Sequence, residues 1–279
     1  MWLGIAIGSA LLFGLAGWWM KVSQMRGGLT SVMLLGLYVS GTAGFGIHAV
    51  VEGTLNELTD YRVWLAGLII GAGSALGNAL FMKALDYGPA SLTSPLTNMN
   101  IVLVIALGTL VYHEPLQLSE TIGIVLLLLA VVLISYKKQD FAIEKQWYLY
   151  VAAAIVFFTF RNGGLKITDE LGLSSAPILF IGYGLSILWF APPRQWRNKG
   201  ARAWTGLKIG LLAGIFSYGG LQLYAYALAT GPANLAAPIF ATNSLVVAAG
   251  AILIYKEKLN LLQWIAFACM IAGLFIIRL

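Results

Sequence analysis

The chain has 279 residues, of which 59% are hydrophobic and only 10% charged, with a formal net charge of +6. Soluble globular proteins carry roughly 25% charged residues, so this composition excludes a soluble enzyme or a soluble nucleic-acid-binding module. The basic residues lie in loops between apolar runs, which is typical of segments that flank membrane spans, and no nucleic-acid partner is expected.

A helix needs about 20 apolar residues to cross the hydrocarbon core, and hydropathy with helix-breaking residues predicts ten such spans. In the first half they are Trp2–Met20, Leu29–Val51, Val63–Leu85, Ala90–Tyr112 and Leu118–Tyr136. In the second half they are Trp147–Leu165, Ala176–Pro193, Trp204–Ala229, Ala233–Tyr255 and Leu261–Arg278. We therefore expect an all-α integral membrane protein.

An internal repeat organises these spans. A shift of 143 positions places Gly88-Pro89-Ala90 on Gly231-Pro232-Ala233 and, without a gap, Glu114 on Glu257. The chain is therefore predicted to contain two five-helix repeats, residues 1–138 and 145–279. Because five is odd, the second repeat enters the membrane from the opposite side, and inverted repeats of this kind predict alternating access around a midplane site. A duplication retained only for folding is the alternative.

The loops after the odd-numbered spans carry most of the Lys and Arg residues. By the positive-inside rule these loops face the cytoplasm, which predicts that both termini lie outside it. We expect a multi-pass protein of the bacterial cell (inner) membrane.

Two stretches carry the same pattern of Gly, Pro, Ala and a later Glu. They read ALDYGPASLTSP followed by YHEPLQL, and ALATGPANLAAP followed by YKEKLNLLQW. With FGLAGWWMK at Phe13–Lys21, where Phe and Ala replace a Trp and an Asn of the family pattern, they resemble the drug/metabolite transporter superfamily. The closest likeness is to its ten-span EamA-like members. The resemblance implies transport of small metabolites, often amino acids or their relatives, through a central cavity. Some relatives place both termini in the cytosol, against the charge pattern here.

The two GPA elements predict short hairpins in which Gly permits a tight turn and Pro begins the next helix without losing a hydrogen bond. A second Pro, about two turns further on, removes a backbone N–H and favours a kink. The candidate structural hinges are therefore Gly88, Pro89, Pro95, Gly231, Pro232 and Pro238.

Arg161 is the charge that most needs an explanation, because it lies within the sixth predicted span. An intramembrane Arg usually faces a cavity or a partner, and its planar fork suits a carboxylate or a phosphate. This predicts an anionic or zwitterionic substrate. A structural ion pair with Glu52, or a side chain that extends to the membrane surface, is the alternative.

Other polar side chains within the spans are candidate substrate-binding groups, with hydrogen bonding between helices as their alternative role. They are Asn162, His48, Asn78, Asn98, Asn100, Gln222, Tyr224 and Asn243. His48 would act either as a protonation switch near neutral pH or as a packing residue.

No Asp or Glu falls near the middle of a predicted span, which disfavours a proton-coupled exporter of drug cations. The chain has no Walker loop, and its two histidines and one cysteine cannot form an ordinary zinc site, so no catalytic residue, cofactor or metal is expected. The expected partners are a small-molecule substrate and membrane lipid, with a monomer and a homodimer both open. The alternative functions are a membrane-embedded enzyme or lipid-handling subunit, an organic-cation or drug exporter without an intramembrane Glu, and a passive pore.

Overall fold

A computed structural model of the chain describes residues 1–88, 90–134, 145–191, 200–255 and 261–276. These residues form helices and no β-strand, which confirms the all-α class. The helices are α1 (Trp2–Met25), α2 (Thr30–Glu52), α3 (Tyr61–Tyr87), α4 (Ala90–Thr97), α5 (Asn100–Ala106), α6 (Leu118–Ile134), α7 (Lys145–Glu170), α8 (Ser175–Phe190), α9 (Gly200–Thr230), α10 (Ala233–Ala241), α11 (Asn243–Tyr255) and α12 (Leu261–Ile276). A 3-10 turn covers Thr54–Thr59, and a π-helical turn covers Leu107–Val111.

Five helices of the described chain, α1, α2, α3, α7 and α9, are long and apolar enough to cross a membrane. Shorter apolar stretches of 10–17 residues accompany them: Asn100–Val111, Leu118–Leu133, Ser175–Phe190, Ala233–Val247 and Trp264–Ile276. Large hydrophobic side chains such as Leu188 and Trp189 are exposed on the outside of the helix assembly. This arrangement is typical of a multi-pass membrane protein, in which lipid covers the apolar surface.

The helices of the two halves of the chain interleave. α1 packs against α9, α10 and α11, while α3 packs against α7 and α8, and α2 packs against α8 and α9. Small residues permit the closest crossings: a Cβ atom on Gly71 would lie 2.5 Å from the Cα atom of Gly182. Such close backbone contact is common between helices in membranes, where van der Waals packing replaces the hydrophobic effect.

The predicted fourth and ninth spans are each interrupted near their middle. α4 is followed by α5 after Asn98 and Met99, and α10 is followed by α11 after Thr242. At each interruption the side-chain amide of an Asn donates a hydrogen bond to the backbone carbonyl three residues before it. The donors are Asn100, at a distance of 2.6 Å, and Asn243, at 2.7 Å. Because these amides compete for carbonyls that an unbroken helix would use, they favour a break at this point.

The candidate hinges do not coincide with these breaks. Pro238 lies inside α10, and Pro95 lies inside α4, about one turn before the interruption in each case. A proline removes a single N–H, and the helix continues through it here, whereas the Asn amides that follow end the hydrogen-bonded ladder. Pro232 is the N-cap residue of α10, one position before its predicted place. Pro89 lies outside the described residues.

The two hairpin glycines have a packing role that the sequence did not indicate. Gly88 has an extended backbone rather than the conformation of a tight turn, and it lies against the indole ring of Trp147. Gly231 lies against the indole of Trp2, where an added Cβ would come within 2.6 Å of the ring. Glycine is required at both positions because a side chain would overlap the tryptophan.

Candidate functional site

A small cavity lies between the two halves, lined by residues of α1, α2, α3, α4, α7, α9 and α11 and by Asn98. Its volume is about 40 Å³, which is space for roughly one or two water molecules. Apolar walls come from Phe13 and Phe158, and α1 contributes Ala16 and Gly17. The polar groups that line it are Asn78, Ser94, Thr97, Asn98, Arg161, Ser217 and Asn243. We call this the central cavity.

Arg161 is only 3% exposed and lies against the aromatic rings of the central cavity. Its guanidinium carbon is 4.9 Å from the ring centroid of Phe13 and 4.4 Å from that of Phe158. In the described part of the chain no carboxylate lies within ion-pairing distance of Arg161, and its Nη1 atom has no hydrogen-bond partner. The predicted alternative of an ion pair with Glu52 is wrong, because Glu52 bonds His48 at 3.0 Å.

A chain of three side chains fixes the position of the guanidinium group. Arg161 Nε donates to Asn162 Oδ1 at 3.0 Å, and Asn162 Nδ2 donates to Asn100 Oδ1 at 2.7 Å. Asn100 in turn donates to the carbonyl of Thr97. One edge of the guanidinium is therefore held by the amide of Asn162, while the Nη1 atom has no hydrogen-bond partner among the described residues.

The two interrupted helices meet at the wall of the central cavity. Asn98 Nδ2 donates to Asn243 Oδ1 at 3.1 Å and to the carbonyl of Ala241, also at 3.1 Å. The amides of Asn98 and Asn243 thus join the break between α4 and α5 to the break between α10 and α11. Broken helices with polar side chains at membrane depth are found where they are buried in protein or line a cavity.

Tyrosine side chains surround the same region. The rings of Tyr38 and Tyr183 lie 4.9 Å apart, and their hydroxyls bond Ser74 at 3.2 Å and Ser217 at 2.9 Å. Asn78, predicted as a substrate-binding residue, also donates to the Tyr38 hydroxyl at 2.8 Å. Our sequence interpretation missed this arrangement.

Tyr224, also predicted at the site, is fully buried and stacks on Phe240 with ring centroids 4.2 Å apart. Its hydroxyl has no hydrogen-bond partner among the described residues. The ring packs against the same phenylalanine that contacts Phe13 at 5.0 Å, so Tyr224 supports the aromatic wall beside Arg161.

A buried ionic cluster closes one end of the molecule. Both oxygens of Glu114 accept hydrogen bonds from the first backbone N–H groups of α10, Ala233 at 3.0 Å and Asn234 at 2.9 Å. Lys166 Nζ lies 3.0 Å from Glu114 and 2.6 Å from Glu170. We call this the Glu114 cluster. A carboxylate is favoured at this place because a helix N-terminus presents free N–H groups and a partial positive charge.

The Glu114 cluster involves a residue beyond the end of a predicted span. The sixth span was predicted to end at Leu165, one residue before Lys166. The structure extends α7 to Glu170, which buries Lys166 to 5% exposure. The pairing joins residues more than 50 positions apart, so no local pattern in the sequence identifies it.

A larger pocket of about 510 Å³ opens at the same end of the molecule. We call it the vestibule. It is formed by the ends of α2 and α7, the start of α8 and one face of α9, and its polar lining residues are Glu52, Thr54, Thr168, Asp169, Ser174, Ser175, Gln222 and Tyr226. Its volume lies within the range of small-molecule pockets, unlike that of the central cavity.

The structure therefore separates the predicted site residues. Arg161, Asn78, Asn98 and Asn243 line the central cavity, and Asn100 and Asn162 support Arg161 from behind. Gln222 lines the vestibule instead. His48 lies near the end of α2, where its ring nitrogens bond Glu52 and, at 2.9 Å, the hydroxyl of Tyr218.

Comparison with known proteins gives three findings. The profile of the EamA-like transporter family matches the chain twice, over residues 1–136 and 145–279. An uncharacterized protein of Methanocaldococcus jannaschii is 32% identical over 78 residues, a match that spans 28% of this chain and 57% of that protein. A protein of known crystal structure superposes with a TM-score of 0.75 over 98% of this chain and 94% of its own, at 15% identity. This last likeness shows the fold alone.

Proposed function

Since this chain belongs to the EamA-like transporter family, as its resemblance to the drug/metabolite transporters predicted, we propose that it is a secondary transporter for small polar metabolites that carry a carboxylate. The family match and the apolar helices identify an integral multi-pass membrane protein. The substrate class that we propose is amino-acid-like, either zwitterionic or anionic.

The observation that carries this proposal is the unpaired guanidinium of Arg161. Burying an unpaired cation is costly, and an intramembrane Arg normally pairs with an acid or faces a cavity. Arg161 has no carboxylate partner in the described chain, and its free Nη1 atom belongs to a residue that lines the central cavity. A substrate carboxylate would complete the site by accepting from the guanidinium, while the neighbouring amides hydrogen-bond its other polar groups.

We further propose that transport occurs by alternating access between two inverted five-helix repeats with ten spans in all. Two features support this. The central cavity, at about 40 Å³, must enlarge to hold any metabolite, so binding requires the helices around it to move. The Glu114 cluster ties α10 to α7 at one end of the molecule, and a 143-position shift aligns Glu114 with Glu257.

Glu257, the counterpart of Glu114 in the repeat, lies outside the described residues. The same repeat and the Lys and Arg distribution support the proposed placement in a bacterial inner membrane with both termini outside the cytoplasm.

The experiment that tests this function is uptake of a radiolabelled amino-acid mixture by proteoliposomes. We expect saturable uptake by the unmodified protein and a fall to the level of empty liposomes for Arg161→Ala, with an unchanged yield of folded protein. Arg62→Gln is the matched control, since Arg62 is an exposed arginine paired with Asp60 at 2.7 Å. Unchanged uptake by Arg161→Ala would contradict the assignment, and uptake that never saturates would indicate a passive pore.

A further inference from the structure

We infer that the vestibule is a second binding site, which takes the ammonium group of a small soluble amine or amino acid. This inference rests on the proposed transport function and narrows its substrate class. The vestibule differs from the central cavity in size, in charge and in the kind of hydrogen-bonding group on its walls.

The vestibule wall offers acceptors and negative charge. Glu52 and Asp169 contribute carboxylates, and no Lys or Arg is among the residues that line it. Asp169 has no ion pair in the described chain, because the neighbouring Lys166 is directed to Glu114 and Glu170. An ammonium group, with three donors and a positive charge, complements such a wall.

Gln222 provides an independent indication of a ligand. This side chain lines the vestibule, is only 8% exposed, and its Oε1 atom has no hydrogen-bond partner in the part of the chain that the structure describes. Its Nε2 atom makes one long contact of 3.4 Å with Ser175. A buried carbonyl oxygen without a donor costs free energy, and a bound ammonium group would supply the donor.

The charged residues around the vestibule also favour binding of a cation. The acidic residues at this end are Glu52, Glu57, Asp60, Glu114, Glu120, Asp169 and Glu170. Among the described residues, the Lys and Arg side chains at this end are Lys166 and Arg62, and each already has an acidic partner. The field at the mouth of the vestibule therefore attracts cations and repels simple anions.

The vestibule and Arg161 cannot hold the two charges of one small molecule together. Asp169 and Arg161 lie on the same helix, and the rise of an α-helix separates them by about 12 Å along its axis. An α-amino acid carries its ammonium and carboxylate groups on one carbon atom. The ligand therefore contacts the two sites in succession, with the ammonium group selected in the vestibule and the carboxylate in the central cavity.

The test uses two matched sets of probes: alanine, ethylamine and propionate, and phenylalanine, 2-phenylethylamine and 3-phenylpropionate. Binding is measured by calorimetry on the full chain in nanodiscs of phosphatidylglycerol, a lipid without an ammonium group. We expect Asp169→Asn to weaken binding of the amines and amino acids about tenfold, and to leave the carboxylates unchanged. Gln222→Glu should strengthen amine binding, which a merely misfolded protein would not show.

Asp60→Asn is the matched control. Asp60 is an acidic residue at the same end but not on the vestibule wall, and the hydrogen-bonded Arg62 side chain holds the pKa of its carboxyl below the usual range. Its substitution should leave all six affinities unchanged. The inference is overturned if neither amine binds, if Asp169→Asn weakens carboxylates as much as amines, or if phosphatidylethanolamine displaces the amines. A separate result would contradict the proposed function: carboxylate binding that persists in Arg161→Ala.

Discussion

Helices α1 and α7 occupy matching places in the two halves of the chain, and they differ where they face the central cavity. Trp2 near the start of α1 packs on Gly231, and Trp147 near the start of α7 packs on Gly88, so each tryptophan contacts the hairpin of the other half. In the register set by these tryptophans, 145 residues apart, Arg161 of α7 corresponds to Ala16 of α1. Both residues line the central cavity.

The contacts that occur in both halves differ in kind from those that occur in one half. The tryptophan–glycine contact at the hairpin, the Tyr–Ser hydrogen bond and the helix break beside an Asn amide each have a counterpart in the other half. Among the described residues, the buried guanidinium of α7 has no counterpart in α1, where small residues line the central cavity at the matching place. Duplicated contacts therefore build the scaffold, and we propose that the substrate is recognised by groups that are not duplicated.

The largest effect on stability is expected at the Glu114 cluster. Glu114→Gln removes the charge that pairs with the buried Lys166 and weakens the cap of α10, so we expect a loss of about 3 kcal/mol in the free energy of unfolding. The matched control is Glu120→Gln, because Glu120 is a partly exposed carboxylate that bonds one backbone N–H, of Gln117. Denaturation of both variants in detergent measures the difference, and equal losses would show that the cluster does not tie the two halves together.

An intermediate effect is expected where the scaffold is duplicated. Gly88→Ala and Gly231→Ala each force a methyl group into a tryptophan ring, and overpacking of this kind costs about 2 kcal/mol. The losses should be similar, since the two contacts correspond. Gly4→Ala is the control, because an added Cβ there meets no atom within 4 Å, and it should leave stability unchanged or slightly higher. Thermal denaturation measures both variants. A loss of stability in only one of them would contradict the equivalence of the two contacts.

The smallest loss of stability is expected at Tyr38 and Tyr183, which are not fully equivalent in their hydrogen bonds. Tyr183→Phe removes one hydrogen bond, to Ser217, and should cost about 0.6 kcal/mol, the average for such bonds in membranes. Tyr38→Phe removes contacts to both Ser74 and Asn78 and should cost about 1 kcal/mol. Both variants should reduce uptake, because Asn78 and Ser217 both line the central cavity, and the Tyr38 variant should reduce it more because it releases two partners. Identical effects on uptake would show that Asn78 has no part in binding.

Hydropathy, the repeat and the isolated charge of Arg161 predicted the helical class, the family and the residue with the unpaired guanidinium. These features can be predicted because they depend on the composition of single segments and on the similarity between the two halves of the sequence. The Arg161–Asn162–Asn100 chain and the Glu114 cluster could not be predicted, because they join helices distant in sequence through contacts that depend on how the helices cross. Kinks were predicted at Pro95 and Pro238 rather than breaks after α4 and α10, since the sequence does not reveal to which carbonyls the Asn amides donate.

Recognition of the substrate by Arg161 is tested most directly by a thermal-shift screen of a metabolite library against the unmodified protein and Arg161→Gln. A ligand at 100 times its Kd raises the stability of the folded state by about 2.7 kcal/mol, which is readily measured. We predict that carboxylates without an ammonium group stabilise the unmodified protein and lose their shift in Arg161→Gln, whereas amines without a carboxylate keep theirs. Carboxylates whose shifts persist in Arg161→Gln would contradict the claim that Arg161 recognises the substrate.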